Sequence, residues 1–207
     1  MAGVFVAGYE YSFSVLCENC KEEFYHRMML CSSVNMDAAS GMVSDFLNDR
    51  LNLVTCPNCG ANFVYERPFV AFGIKKKYAI LADGSLDGKS KIHGRARLYE
   101  MFSPKMRFRR VDFLCEAAEK ARIFEAGLDD RATDVLKRKV FDASFFADKR
   151  DAMVLFRSAD DDTILFEYRD YLGNVIEERS VAMSEYLPPD DGDNCISDGL
   201  ILWKRTD

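Results

Sequence analysis

Apolar and polar residues alternate from Tyr9 to Leu16 and again from Glu22 to Leu30, with Cys17-Glu-Asn-Cys20 between them. A period of two is the mark of a half-buried strand, so this stretch predicts two strands returning through a cysteine turn. The period then changes. Met36, Ala39, Val43, Phe46 and Leu47 fall at helical spacing, which predicts one amphipathic helix with Asn35 or Asp37 as its N-cap. Leu51 to Thr55 leads into a second turn, Cys56-Pro-Asn-Cys59-Gly60, and residues 62–72 lead out of it. Pro68 must lie on an edge of that outgoing strand or end it. Residues 83–95 are rich in turn formers and predict a loop, followed by strand-like text at 96–102 and 106–111.

Helical spacing returns at Phe113, Leu114, Ala117, Ala118, Ala121, Phe124 and Leu128, with Gly127 at the C-cap. Asp129 or Asp130 caps a second helix whose stripe is Ala132, Val135, Leu136 and Val140. Together the two predict an αα-hairpin. From Met153 the pattern is again strand-like, at 153–156, 163–169, 174–181 and 200–204, with turn chemistry at Asp160-Asp161-Asp162 and Gly173-Asn174. The expected class is therefore α+β. A first part, residues 1–111, is built on the cysteine turns, and a second, residues 112–207, joins the helical hairpin to a C-terminal antiparallel β-meander.

The cysteines give this outline its chemistry. Seven of them, at 17, 20, 31, 56, 59, 115 and 195, do not make the even framework of a secreted disulfide domain. Two residues between cysteines let one tight turn aim both sulfurs at a single ion, and Pro57 and Gly60 suit the second turn. Cys17, Cys20, Cys56 and Cys59 are thus the candidate ligands of one structural Zn2+, on zinc-ribbon-like four-cysteine knuckles with the helix inserted between them. The alternative is a redox dithiol at a helix N-terminus, although both pairs here run into strand-like text. Cys31, Cys115 and Cys195 read as core cysteines. His26, on the strand after Cys20, is a neighbour of the site rather than a ligand.

The two Cys-x-x-Cys pairs, the short helix between them and Leu51-Asn-Leu-Val-Thr-Cys-Pro-Asn-Cys-Gly60 resemble the CpXC domain family of bacteria and archaea. The likeness continues through Pro68, Lys76 to Leu81, Glu119 to Phe124 and Leu128 to Arg131, so it covers residues 10–140 or so. Glu18 stands where the second pair has Pro57. The resemblance implies a metal-binding domain defined by its sequence pattern, and it carries over no catalytic residue.

Charge adds a second feature. The chain is 207 residues long with a formal charge of −6, yet residues 75–110 alone carry +8. Within that segment Lys105, Arg107 and Arg109 alternate, and on a strand they would share one side and form a cationic edge for a polyanion or an acidic partner. The bland alternative is an internal counter-charge for the acidic remainder. Asp160 to Asp162 and Asp190 to Asn194 lack the spacing of a calcium loop and read as turns. Asp129, Asp130 and Asp134 could gather for acid–base work, but capping accounts for the first two. His93 falls in the turn-rich loop and is expected to be exposed. There is no phosphate loop, dinucleotide fingerprint, nucleophile elbow or zinc-protease motif.

No run of apolar residues is long enough to span a membrane, and the N-terminal residues lack the basic flank of a signal peptide, so a cytoplasmic protein is expected. The function that fits is a non-catalytic zinc-binding interaction or scaffold protein with a protein partner. The alternatives are a nucleic-acid-binding regulator using residues 75–110, and an enzyme whose reaction the sequence does not name.

Overall fold

A computed structural model of the chain describes residues 9–84, 106–142, 153–169, 174–187 and 197–198. It is a mixed α+β protein in two compact units, Met1–Ala118 and Glu119–Asp207.

In the first unit β1 (Tyr9–Leu16) and β2 (Glu23–Leu30) form an antiparallel ribbon in which Phe13 lies opposite His26 and Val15 opposite Phe24. A second, shorter ribbon pairs β4 (Leu53–Thr55) with β5 (Asn62–Val64). The stretch between the ribbons holds β3 (Ser33–Asn35) and α1 (Gly41–Leu47). After Pro68 come β6 (Phe69–Gly73), β7 (Tyr78–Ala82) and β8 (Arg107–Val111). Four strands of this unit make a mixed sheet in the order β8-β7-β6-β3, with β7 antiparallel to β6 and parallel to β8, and β3 parallel to β6. Tyr78-Ala-Ile-Leu-Ala82 is an unbroken apolar run, and all five residues are buried, as a strand covered on both faces requires. Phe72, Ala79, Leu81 and Phe108 pack together on one face, and Phe69 on the other meets Phe46 of α1 at 5.1 Å.

The helix between the cysteine turns is shorter than its periodicity suggests. Met36 and Ala39 precede it, because Ser33–Asn35 is drawn into parallel pairing with β6 and the Met36 N–H continues that ladder to the Phe72 carbonyl at 2.8 Å. Asn35 and Asp37 cap no helix. Asn35 accepts the Asp37 N–H at 3.0 Å, and the Asp37 carboxylate accepts the N–H groups of Ile74 and Lys75 in the β6–β7 turn. Ser40 occupies the N-cap with no side-chain cap bond. Local hydrogen bonding by Asn and Asp has won over helix propensity.

The division between the units falls within α2 (Leu114–Glu125). This helix ends as a Schellman motif, with Gly127 at φ +78°, its N–H on the Phe124 carbonyl and the Leu128 N–H on the Ile123 carbonyl, both at 3.1 Å. Asp129 then accepts the N–H groups of Arg131 and Ala132 and so caps α3 (Asp130–Asp142). The buried stripe of α3 differs from the expected one. Val135 is 57% exposed, whereas Thr133, Lys137 and Phe141 are buried beside Ala132, Leu136 and Val140.

In the second unit β9 (Met153–Ala159), β10 (Thr163–Arg169) and β11 (Val175–Ala182) form an antiparallel sheet with β10 in the centre. Asp160 accepts the N–H groups of Asp162 and Thr163 and makes the β9–β10 turn. Ile123, Leu136, Phe141, Phe156 and Phe166 belong to one core with Tyr168, whose hydroxyl donates to the Val140 carbonyl at 2.7 Å. The strand expected at 200–204 and the acidic turn at Asp190 to Asn194 lie outside the described residues. Among the described residues no helix is long and apolar enough to cross a membrane.

Glu119, Lys120, Asp130 and Lys137 are buried between the second half of α2, α3 and β9, with Asp134 half-buried beside them. Lys137 bonds both oxygens of Glu119 at 2.9 Å, and Glu119 also accepts the Phe156 N–H at 2.7 Å. Lys120 lies 2.6 Å from Asp134 and 3.6 Å from Asp130. Burial opposes the Glu119 charge, but Lys137, Lys120 and the Phe156 N–H outweigh it and hold the carboxyl below its ordinary range. Asp134 is pushed up, chiefly by burial. A buried pair costs most when only one member is removed. Lys137→Ala should therefore lower stability by about 3–5 kcal/mol in denaturant unfolding. Glu119→Gln combined with Lys137→Met, which removes both charges and keeps an acceptor for Phe156, should cost less than that single change.

Glu66, in the first unit, accepts the Leu114 N–H with its carboxylate at the start of α2. Its pKa is raised to about 7, by burial first and then by Glu116, against the opposing pull of that N–H. A carboxyl whose folded pKa lies above its unfolded value contributes stability at low pH that is lost as pH rises toward 7. Glu66→Gln should accordingly raise the melting temperature over the parent at pH 8, with the advantage shrinking steadily toward pH 5. A melting difference independent of pH would contradict this burial.

Candidate metal centre

Cys17 and Cys56 end the incoming strands of the two ribbons, and the backbone folds alike after each. The Cys17 N–H donates to the Glu22 carbonyl at 2.9 Å and the Lys21 N–H to the Cys17 carbonyl at 2.7 Å. The Cys56 N–H likewise donates to the Ala61 carbonyl at 2.8 Å and the Gly60 N–H to the Cys56 carbonyl at 2.9 Å. Both turns close on a left-handed residue, Lys21 at φ +61° and Gly60 at φ +74°. Gly60 takes that conformation at no steric cost, which the sequence made legible, whereas Lys21 bears a Cβ there. Lys21 also makes an exposed ion pair with Glu18 at 2.7 Å.

The two turns face each other. All four sulfurs lie within 4.8 Å of one another, with Cys17 Sγ 3.6 Å from Cys59 Sγ and Cys20 Sγ 3.7 Å from Cys56 Sγ. A tetrahedral ion with arms of about 2.3 Å to sulfur needs edges of about 3.8 Å, so the thiol set fits one metal ion. These separations are far beyond a covalent S–S bond, and all four are free thiols. Cys17 and Cys56 are the inner pair, 0% and 1% exposed, while Cys20 is half-buried and Cys59 exposed.

The sulfurs do not sit in equal environments. Burial pushes the Cys56 thiol up to about 11, against the N–H groups of Cys59 and Asn58. Cys59 is brought down to about 6, first by the Asn19 side-chain amide and then by the Ala61 N–H. Cys20 is also lowered, by the Glu22 N–H and the Asn58 amide. The asparagines cross over: Asn19 Nδ2 donates to Cys59 Sγ at 3.5 Å and Asn58 Nδ2 to Cys20 Sγ at 3.6 Å.

The far ends of the ribbons are tied by a buried asparagine. Asn52 accepts the Cys31 N–H at 2.9 Å and donates to the Cys31 carbonyl at 3.1 Å, so the inserted stretch leaves and returns at one closed point. Its φ of +56° is one that Asn tolerates better than most residues. Phe13 packs on Tyr65 at 4.4 Å, and the Arg67 guanidinium lies over the Tyr11 ring. His26 sits edge-on to Phe13 and Phe24 at 6.2 and 6.3 Å as part of this half-buried face, and it is not one of the four clustered residues. Cys31 is a core thiol that donates to the Ser33 carbonyl.

Of the expected cationic edge, the sheet turns one member inward. Arg109 lies opposite Ile80 and is 2% exposed, with Nη1 on the Phe108 carbonyl at 2.8 Å, so it is not offered to a partner. Alternation does put Arg107 and Arg109 on one side of β8, but that side is covered at Arg109. Arg107 is half-buried, and Lys105, like His93 and Cys195, lies outside the described residues. Arg110 faces Asp83 and Asp112, each at 3.7 Å.

Asn19, Asn52 and Asn58 are the site's contributors that residue-type reasoning passes over. The repeat of Cys-x-Asn-Cys in both turns was the available signal for two of them. Asn52→Gly keeps the left-handed backbone and removes only the side-chain bonds to Cys31. It should cost about 2 kcal/mol in denaturant unfolding, in line with two buried backbone groups losing their partner. Gly60→Ala, which has open space for its Cβ but a strained φ, should cost about 1 kcal/mol.

No curated protein and no solved structure matches the chain. The family model described as CpXC protein matches residues 15–137, which contain all four clustered cysteines and the helices α1, α2 and most of α3. A match over more than half of the sequence identifies the chain as a member of the CpXC family.

Proposed function

We propose that the four thiolates hold one structural Zn2+ and that the protein is a non-catalytic interaction or scaffold protein. The observation that carries this reading is the closed sulfur set: four ligands at tetrahedral spacing leave no position for a substrate or an activated water. Zinc suits all-thiolate tetrahedral ligation and supplies folding free energy where the elements are small, as β4 and β5 are at three residues each. On this reading the two ribbons form a zinc-ribbon-like unit with α1 and β3 inserted. The helices α2 and α3 form an αα-hairpin followed by the meander. The partner is a protein, and a reducing cytoplasm keeps the thiols competent for metal.

A polyanion such as nucleic acid is the second reading. With Arg109 buried, it rests on the exposed β6–β7 turn, where Lys75, Lys76 and Lys77 follow one another and the Arg107 N–H bonds the Lys77 carbonyl. A salt-dependent mobility shift with DNA or RNA that is lost on replacing the three lysines would favour it.

Elemental analysis of protein purified without chelator should give one zinc per chain. Cys56→Ser should lower that ratio and the melting temperature together, while Cys115→Ser should leave the zinc content at one. Zinc well below one equivalent in the parent, or equal melting losses for the two variants, would refute the assignment.

A further inference from the structure

The four sulfurs are supported in two different ways. The inner pair is shielded, with Cys17 and Cys56 at 0% and 1% exposure. The outer pair, Cys20 and Cys59, is open to water, and an outer sulfur is therefore where a competing chelator or incoming water first acts. Each outer sulfur has its own backbone donor, Glu22 N–H for Cys20 and Ala61 N–H for Cys59. Beyond that, it receives a side-chain amide from the opposite turn. The residue just before Cys20 bonds Cys59, at 3.5 Å, and the residue just before Cys59 bonds Cys20, at 3.6 Å. The exchange is reciprocal and follows the approximate two-fold likeness of the turns, in which Asn19 and Asn58 hold equivalent positions between equivalent backbone bonds.

We propose that Asn19 and Asn58 are positioning residues of the metal centre, each carrying its amide across to hold the outer sulfur of the opposite turn in place for the ion. The inference rests on the four-cysteine metal reading given above and adds to it the residues that govern how firmly the ion is kept. The physical argument has two parts. Four thiolates around a divalent ion leave an excess of negative charge on sulfur, and N–H donors aimed at those sulfurs disperse it. Release of the ion starts with one sulfur swinging away, and the outer sulfurs are the ones with room to do so. An amide anchored on the other turn opposes that motion and also braces the two turns against each other. Both asparagines are exposed at the turn tips, so their replacement removes a donor without opening the core.

The experiment uses the full chain as N19A, N58A and the double variant, with E18A as a control. Glu18 lies on the same exposed tip and is bonded to Lys21 rather than to sulfur. Zinc affinity is measured by competition with a chromophoric chelator, and the sulfur-to-cobalt charge-transfer band is recorded after Co2+ substitution. Each alanine variant should lose about tenfold in zinc affinity, the range typical for groups that support a metal ligand from behind. The double variant should lose more than either single one. The band should move to lower energy in each, because sulfur without its donor gives up an electron more readily, and E18A should match the parent in both readouts. Variants with the parent's affinity and band would overturn the proposal, as would an E18A loss as large as theirs. A parent that takes up neither zinc nor cobalt would instead overturn the metal reading itself. Asn19 and Asn58 are separate tests, so if one variant does not fold the other still decides.

Discussion

Convergence of four sulfurs from two turns, with 35 residues of chain between Cys20 and Cys56, is the constraint on which the first unit depends. Neither ribbon would hold by itself. A three-residue pair such as β4 and β5 is below the size at which a two-stranded sheet is stable in water, and the longer ribbon β1–β2 has one face open. Setting the two cysteine turns face to face braces these marginal elements against each other. The closure then needs a second fixed point, or the ribbons would pivot about the sulfur cluster. Asn52 supplies it at the opposite end by pairing with both backbone groups of Cys31, and the Phe13–Tyr65 contact fills the space between the two points.

The inserted stretch follows from these two anchors. Because the chain leaves at Cys31 and returns at Asn52, what lies between is free to build something other than the cysteine cluster. It adds β3 to the edge of the sheet and places Phe46 against Phe69. Asp37 has a comparable linking role, since its carboxylate fixes the β6–β7 turn through the N–H groups of Ile74 and Lys75. The cysteine cluster and the sheet are therefore parts of one hydrogen-bonded unit.

Much of this was legible in the sequence, and the parts that were not share a physical cause. β1, β2, the two cysteine turns, the C-cap at Gly127 and the strands β9, β10 and β11 rest on local rules of alternation, turn geometry and capping, and these were readable without tertiary context. β3 was not, because three residues pairing in parallel with a distant strand leave no periodic trace, and Met36 and Ala39 happened to fall in phase with the helix that follows. Val135 failed for the same kind of reason. It lies in phase with the apolar stripe, yet the buried positions of α3 go to Thr133 and Lys137, whose polar atoms bond the Asp129 carbonyl and the Glu119 carboxylate. The grouping of Cys17, Cys20, Cys56 and Cys59 was legible because the spacing of the two pairs suggests it. Their amide donors required seeing that the two turns face each other.

The charge pattern shows how far one-dimensional reasoning reaches. A segment of net +8 in an acidic chain invites the idea of a binding strip, and that idea assumes the cations are on the surface. On β8 the assumption fails because the strand lies against β7, whose residues are all buried, so alternating positions on it are committed to the packed faces of the sheet. Arg109 is carried inward by that commitment, and its long apolar stem makes such burial tolerable once the head has a carbonyl to bond. Arg110, on the other side, is drawn to Asp83 and Asp112. Asp83 is fully buried, and a buried carboxylate beside a cation is far less costly than one alone. Part of the excess is thus consumed inside the fold as counter-charge to the chain's own acids. Among the described residues of the segment, the exposed cations are those of the β6–β7 turn, Lys75, Lys76 and Lys77, set there by a turn rather than by a strand.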